Sequence, residues 1–184
     1  FNSKLFKTLV IPGIIGAIIG AYVLSSLEEY STYIKPIVSI YTLFLGVIIS
    51  FAAGVIIAYA LGITDAESLT TIGAGACTFI VGPVTGSAVG ASSDVIAISI
   101  AIGVLKSILV TIITPFIANK LGIDNPQSAM IFGGLVGSTS GVSAGLAATD
   151  VKLVPYGALT ATFHTAVGCL LCPSILYFIV NYYL

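Results

Sequence analysis

The chain has almost no charge. Of its 184 residues only 7% are Asp, Glu, Lys or Arg, while 58% are hydrophobic. A water-soluble domain carries about 25% charged residues, so a solvated surface of ordinary size is excluded. Arginine is absent altogether, which removes the preferred bidentate partner of carboxylates and phosphates. The net charge of −1 leaves no basic footprint for nucleic acid. Cysteine is scarce. Cys77, Cys169 and Cys172 include a Cys-Leu-Leu-Cys spacing, but it lies in an apolar stretch with no second pair, so packing explains it better than redox or metal chemistry. No Ser–His–Asp arrangement, metal-ligand cluster or phosphate-cradling loop stands out, and no enzyme is expected.

What the chain has instead is long uncharged runs, at 8–27, 36–64, 68–93, 125–149 and 153–184. A sixth, 95–119, is interrupted only by Lys106. About 20 apolar residues cross a ~30 Å hydrocarbon core, so each run is long enough. The expected fold is all-α, a polytopic membrane protein of about six membrane segments. Lys4 and Lys7 precede a run too long for a signal peptide and without a small-residue cleavage site. In the first run Gly16 and Gly20 make a small-xxx-small face for close helix contact.

Local signals divide the remainder. Pro36 opens the second span. Thr64-Asp65-Ala66-Glu67 reads as a capping box starting a helix at about Asp65. Gly73, Gly75, Gly82, Pro83 and Gly86 then argue against one straight helix. Ser92-Ser93-Asp94 offers the next start, and Asn125-Pro126 another, with proline at the first helical position. The following segment meets Gly133, Gly134, Gly137, Gly141 and Gly145, so two of the six segments are expected to be broken at glycines. The last span, about 156–182, holds His164 and Pro173.

Gly-Ser-Ala-Val-Gly-Ala-Ser at 86–92 returns as Gly-Ser-Thr-Ser-Gly-Val-Ser at 137–143, a spacing of 51. Lys106 and Pro115 find counterparts in His164 and Pro173, a spacing of 58. An internal repeat is expected, with units at about 65–120 and 124–184 and the difference of seven absorbed near Asp150 and Lys152. If the glycine segments cross, the units run parallel; if they dip in and return, the units are inverted. Lysine placement slightly favours crossing, without settling it.

Candidate chemistry follows from residues that hydrocarbon does not favour. Lys106 sits mid-span, where a charge costs at least ~2.5–3.5 kcal/mol; it reads as an anion contact or counter-ion, against a lysine snorkelling to the headgroups. His164 reads as a carboxylate contact or proton carrier, against a neutral histidine bonded to a neighbour. Thr85, Ser87, Ser92, Ser138, Thr139, Ser140 and Ser143 form a candidate substrate-binding set beside helix breaks, though hydroxyls also glue helices together. Broken helices offer amides to an anion and carbonyls to Na⁺. Asp94 is a candidate Na⁺ ligand, with helix capping as the plainer account, and Asp150 a weaker one beside Lys152.

Residues 70–94, TTIGAGACTFIVGPVTGSAVGASSD, and 121–182, including LGIDNPQSAMIFGGLVGSTSGVSAGLAATD and LVPYGALTATFHTAVGCLLCPSILYFIV, resemble the MadM subunit family of malonate/sodium symporters. The resemblance covers about residues 45–184, a MadM-like transport domain taken as 46–184, and includes Lys106 and His164. A more distant resemblance to LrgB-type membrane proteins covers the same region. The MadM resemblance implies Na⁺-coupled malonate uptake at the cytoplasmic membrane, with no other cofactor and with a second, smaller membrane subunit, MadL, as partner. Residues 1–45, with KLFKTLVIPGIIGAIIGAYVLSSL and KPIVSIYTLFLG, look more like the TauE/SafE sulfite-exporter family. An anion exporter and a non-transporting membrane scaffold therefore stand as alternatives.

Overall fold

The computed structural model describes the backbone of residues 35–183 and the side chains of 40–183. The expected span at 8–27, with its glycines and Lys4 and Lys7, lies outside the described residues. Within them the fold is all-helical, with α1 at Lys35–Ala60, α2 at Ala66–Cys77, α3 at Val81–Val89 and α4 at Ser93–Ile117. α5 (Pro126–Val136), α6 (Thr139–Ala147) and α7 (Val154–Leu171) follow, and a π-helical turn at Cys172–Leu176 leads into α8 (Tyr177–Tyr183). Three stretches among the described residues are long and apolar enough to cross a membrane: Ile40–Ala60, Ser93–Ile117 and Val151–Tyr183.

Helix starts obey local chemistry. Ser92 caps α4 by accepting from the Val95 amide, and Asn125 caps α5 in a box with Ser128. At α2 the cap is one residue later than the sequence suggested: Asp65, not Thr64, accepts from the Ser68 amide at 2.9 Å. The Ser68 hydrogen bonds hold the Asp65 carboxyl below its ordinary range. Its contribution is present above the unfolded carboxyl pKa and fades as pH falls through the lowered folded value. An Asp65→Ala protein is expected to lose about 1 kcal/mol of stability at neutral pH, read as a lower thermal midpoint in detergent. The gap from wild type should narrow in acid.

No single helix of the glycine-rich segments is long enough to cross by itself. α2 has 12 residues and α3 has 9, about 18 and 14 Å of helix, each well short of a ~30 Å core. Gly75 abuts Ser99 and Phe79 abuts Gly103, so α2 runs in the same direction as α4. Gly82 lies against Ser99 and Gly86 against Ile96, so α3 runs back the other way. Together they form a helical hairpin whose tip is residues 78–80. The second unit repeats the arrangement. Met130 and Gly134 carbonyls accept from Thr160 and His164, giving α5 the direction of α7. Thr139 meets Thr162, while Val142 and Leu146 cover Gly157, so α6 runs back.

The two units point in opposite directions. Gly141 lies on Ser107 and Gly145 on Thr114, so α6 runs with α4 although it runs against α7. α4 and α7 are therefore antiparallel, and the hairpins enter from opposite faces. Consistently, Tyr177, near the chain's end, donates to Glu67 at the base of the first hairpin at 3.2 Å.

Two expectations change. Only the second break falls at a glycine, Gly137, which is left-handed at φ 73°. The first is at Thr78, whose hydroxyl accepts from the Ile80 and Val81 amides at 3.3 and 3.2 Å and so ends one helix while starting the next. The two glycine–serine motifs are also not equivalent in place: 86–92 covers the end of the first returning arm, whereas 137–143 covers the second tip. A spacing of 58 relates both ends of α3 and α6 as well as the ionisable residues and prolines. No seven-residue adjustment is needed.

Candidate functional site

Both hairpin tips end against the middle of α1, on either side of Gly46. A Cβ on Gly46 would lie 2.6 Å from Gly134 O and 2.8 Å from Leu135 O. One turn further on, Ser50 lies within 3.4 Å of Lys106 Nζ, and the Cys77 thiol approaches Val47 O at 3.5 Å. Lys106 is the 14th residue of the 25-residue α4, so its Cα lies about halfway along the span.

Lys106 is fully engaged. Its ammonium donates to Ala76 O at 2.8 Å, Cys77 O at 3.0 Å and Ser50 Oγ at 3.4 Å. The carbonyls belong to the last turn of α2, which has no following turn to satisfy them, and the charge sits at the negative end of that helix. A lysine is thus tolerated here because a broken helix supplies its partners.

His164 holds the second tip in the corresponding way. It is fully buried and its Nδ1 lies 2.7 Å from Gly134 O. A carbonyl only accepts, so Nδ1 carries the proton. Nε2 is buried with no hydrogen-bond partner. Gly134 is 58 residues beyond Ala76, the spacing that separates His164 from Lys106. Each unit therefore fixes its tip by an ionisable side chain from its own long helix, bonded to the end of its own entering arm. Ser107 and Ser138 share a short hydrogen bond that joins the second tip to α4, and Thr165 donates to Gly137 O at 3.4 Å.

The start of α6 is electrostatically open. Ser138 occupies its cap position without making a side-chain cap bond, so the first amides of a nine-residue helix point toward the tip with the positive end of its dipole. α3 differs, since Thr78 already caps it.

The family model for the malonate/sodium symporter MadM subunit matches residues 8–184. The chain belongs to that family. No curated protein and no solved structure matches it. The match reaches into the stretch that resembled a sulfite exporter, so residues 8–45 belong with the remainder of this MadM-family chain and the exporter reading loses its basis. Membership makes the chain a membrane subunit of a malonate/sodium symporter, a transport protein with Na⁺ as the implied coupling ion.

Among the expected site residues, Lys106, His164 and Ser138 come together at the meeting of the tips in this MadM-family structure, with Thr139 one residue on. Ser140 is exposed and Ser143 half-buried on the returning arm of the second hairpin. Thr85 is fully buried on α3 with its hydroxyl unpaired. Ser87 is exposed near the end of α3. Ser92 is engaged as the α4 cap, and Asp94 is exposed in the first turn of α4. Twelve residues separate Asp94 from Lys106, about 18 Å of helix, so these last three are not brought to the tips. Sequence reasoning missed Ser50, Thr78, Ser107 and Thr165. A signal existed for two of them, because a hydroxyl follows the ionisable residue in both units, Lys106-Ser107 and His164-Thr165.

Proposed function

We propose that this chain is the substrate-carrying subunit of a Na⁺-coupled malonate importer of the cytoplasmic membrane, built on an inverted repeat and working with a smaller MadL-like membrane subunit. The observation that carries the reading is the meeting of two oppositely directed helical hairpins at the level of Lys106 and His164. Secondary transporters place solute sites at the midplane, between repeats, where interrupted helices aim amides and carbonyls inward.

In this reading one malonate carboxylate docks at the uncapped start of α6, on the Thr139, Ser140 and Gly141 amides with the Ser138 hydroxyl. The buried Nε2 of His164 meets the other end of the diacid once the imidazole takes up a second proton, since only then does Nε2 carry a hydrogen to donate to a carboxylate. Lys106 acts at one remove: its three donors are committed to the first tip and to Ser50 of α1, so it contributes a positive field and a fixed tip rather than a direct contact. Thr85 and Ser143 line the returning arms. Coupling follows if Na⁺ stabilises the tip geometry that malonate needs.

Uptake of labelled malonate into proteoliposomes, reconstituted with the partner subunit, tests this. Uptake should rise with an inward Na⁺ gradient and collapse when the gradient is dissipated. Ser138→Ala should raise KM for malonate roughly tenfold, as expected for one lost hydrogen bond to a charged group. A folded complex that shows no Na⁺-stimulated uptake would sink the proposal and leave the scaffold reading.

A further inference from the structure

Cys77 is the last residue of α2, and its thiol is fully buried at the first tip. The sulfur has only long contacts to carbonyls, Val47 O at 3.5 Å and Gly73 O at 3.6 Å. It also shares a hydrogen bond with the thiol of Cys172, the first residue of the π-helical turn in the second unit. Register along the helices agrees with that pairing. A Cβ on Gly168 would lie 2.9 Å from Val81 Cγ2, so this face of α7 rests on the first hairpin. Cys172 follows Gly168 by one turn on the same face. Both cysteines belong to the buried cluster that holds Val47 and Val81.

The thiols therefore meet across the two repeat units, 95 residues apart in the chain. Cys169, although only three residues from Cys172, is half-buried and takes no part in that hydrogen bond. The Lys106 ammonium and the His164 imidazole act on the same Cys77 sulfur, which puts the pair at the meeting of the tips.

We propose that Cys77 and Cys172 form a redox site, at which a hydroperoxide produces a disulfide that ties the first tip to the second unit. The peroxide transfers its terminal oxygen to the Cys77 sulfur, giving Cys77–SOH and an alcohol, or water from hydrogen peroxide. The Cys172 thiol then attacks that sulfur. The S–S bond replaces the S–O bond, and the hydroxyl leaves as water with the Cys172 proton. Two electrons pass from the sulfurs to the peroxide O–O bond, and a dithiol reverses the reaction by exchange. Because both thiols are buried, oxidation proceeds through local opening of the joint and then holds it shut. The effect on transport rests on the transport reading, since alternating access moves one repeat against the other. Formation of the disulfide does not.

The test starts from the reduced, purified complex in detergent, treated with hydrogen peroxide. Free thiols are alkylated and the digested chain is read by mass spectrometry. Two of the three cysteines should escape alkylation, in a peptide pair joining Cys77 to Cys172. The thermal midpoint should rise by roughly 5 °C or more and fall back with dithiothreitol, because the bond closes a long loop. Proteoliposomes made from the oxidised complex should lose most malonate uptake and regain it on reduction. Cys172→Ala should transport as the reduced wild type does and resist peroxide, while Cys169→Ala should remain as sensitive as wild type. Oxidised wild type without the Cys77–Cys172 peptide overturns the proposal, whether or not the variants fold. Full uptake by the cross-linked complex overturns it too, as does unchanged peroxide sensitivity in Cys172→Ala. A reversible disulfide that raises the midpoint in a complex with no uptake even when reduced upholds the redox site and removes the transport reading.

Discussion

Gly137→Ala should cost the protein several kcal/mol and abolish function. Gly137 is left-handed at φ 73°, a conformation that costs a residue with a Cβ roughly 1–2 kcal/mol. The added methyl would also overlap the imidazole of His164, which is pinned by its hydrogen bond to Gly134 O. Overpacking of this kind costs about 1–3 kcal/mol. The two effects act together on the tip that carries the uncapped helix start. Thermal unfolding in detergent should show a large fall in midpoint, and proteoliposomes should show no uptake. Combining the change with His164→Ala relieves the overlap but not the backbone strain, so the double variant should recover part of the stability and none of the transport. A Gly137→Ala protein as stable as wild type would refute the geometry.

Lys106→Met should be nearly as damaging, with a different signature. Methionine fits the apolar stem but leaves Ala76 O, Cys77 O and Ser50 Oγ without their shared donor. Each buried group left unpaired costs about 1–3 kcal/mol, and the interaction of charge with the end of α2 is lost as well. Because the ammonium is already saturated by the first tip, the loss should appear in stability and maximal uptake rate. KM for malonate should change little. A rise in KM with normal stability would instead make Lys106 a direct substrate contact. Lys106→Arg is not expected to restore function fully, since a planar fork does not reproduce a compact point donor.

The sequence made much of this legible. The scarcity of charge identified the membrane, and the caps at Ser92 and Asn125 placed the starts of α4 and α5 correctly, because capping depends on a few adjacent residues. Lys106 and His164 were conspicuous because an ionisable group in hydrocarbon needs a reason. The direction of the hairpins was not legible. It depends on which surfaces of α2 and α3 meet α4, through glycine contacts such as Gly75 with Ser99, and those are set by tertiary packing. Motif similarity misled on register for a related reason. Glycine and serine suit both a helix tip and the end of a returning arm, so the resemblance between 86–92 and 137–143 reflects composition more than position. The break at Thr78 was overlooked because a single hydroxyl capping the next helix leaves no compositional mark.

The returning arm of the second hairpin packs along α4 of the first unit, through Gly141 on Ser107 and Gly145 on Thr114, while Val81 of the first hairpin sits on Gly168 of α7 in the second unit. The halves are thus clasped rather than merely adjacent, like two hands each holding the other's wrist. A chain cut between α4 and α5 should yield pieces that fold only when made together. A shift of either hairpin must also be felt by the opposite long helix, so whatever fixes one tip alters the freedom of the other.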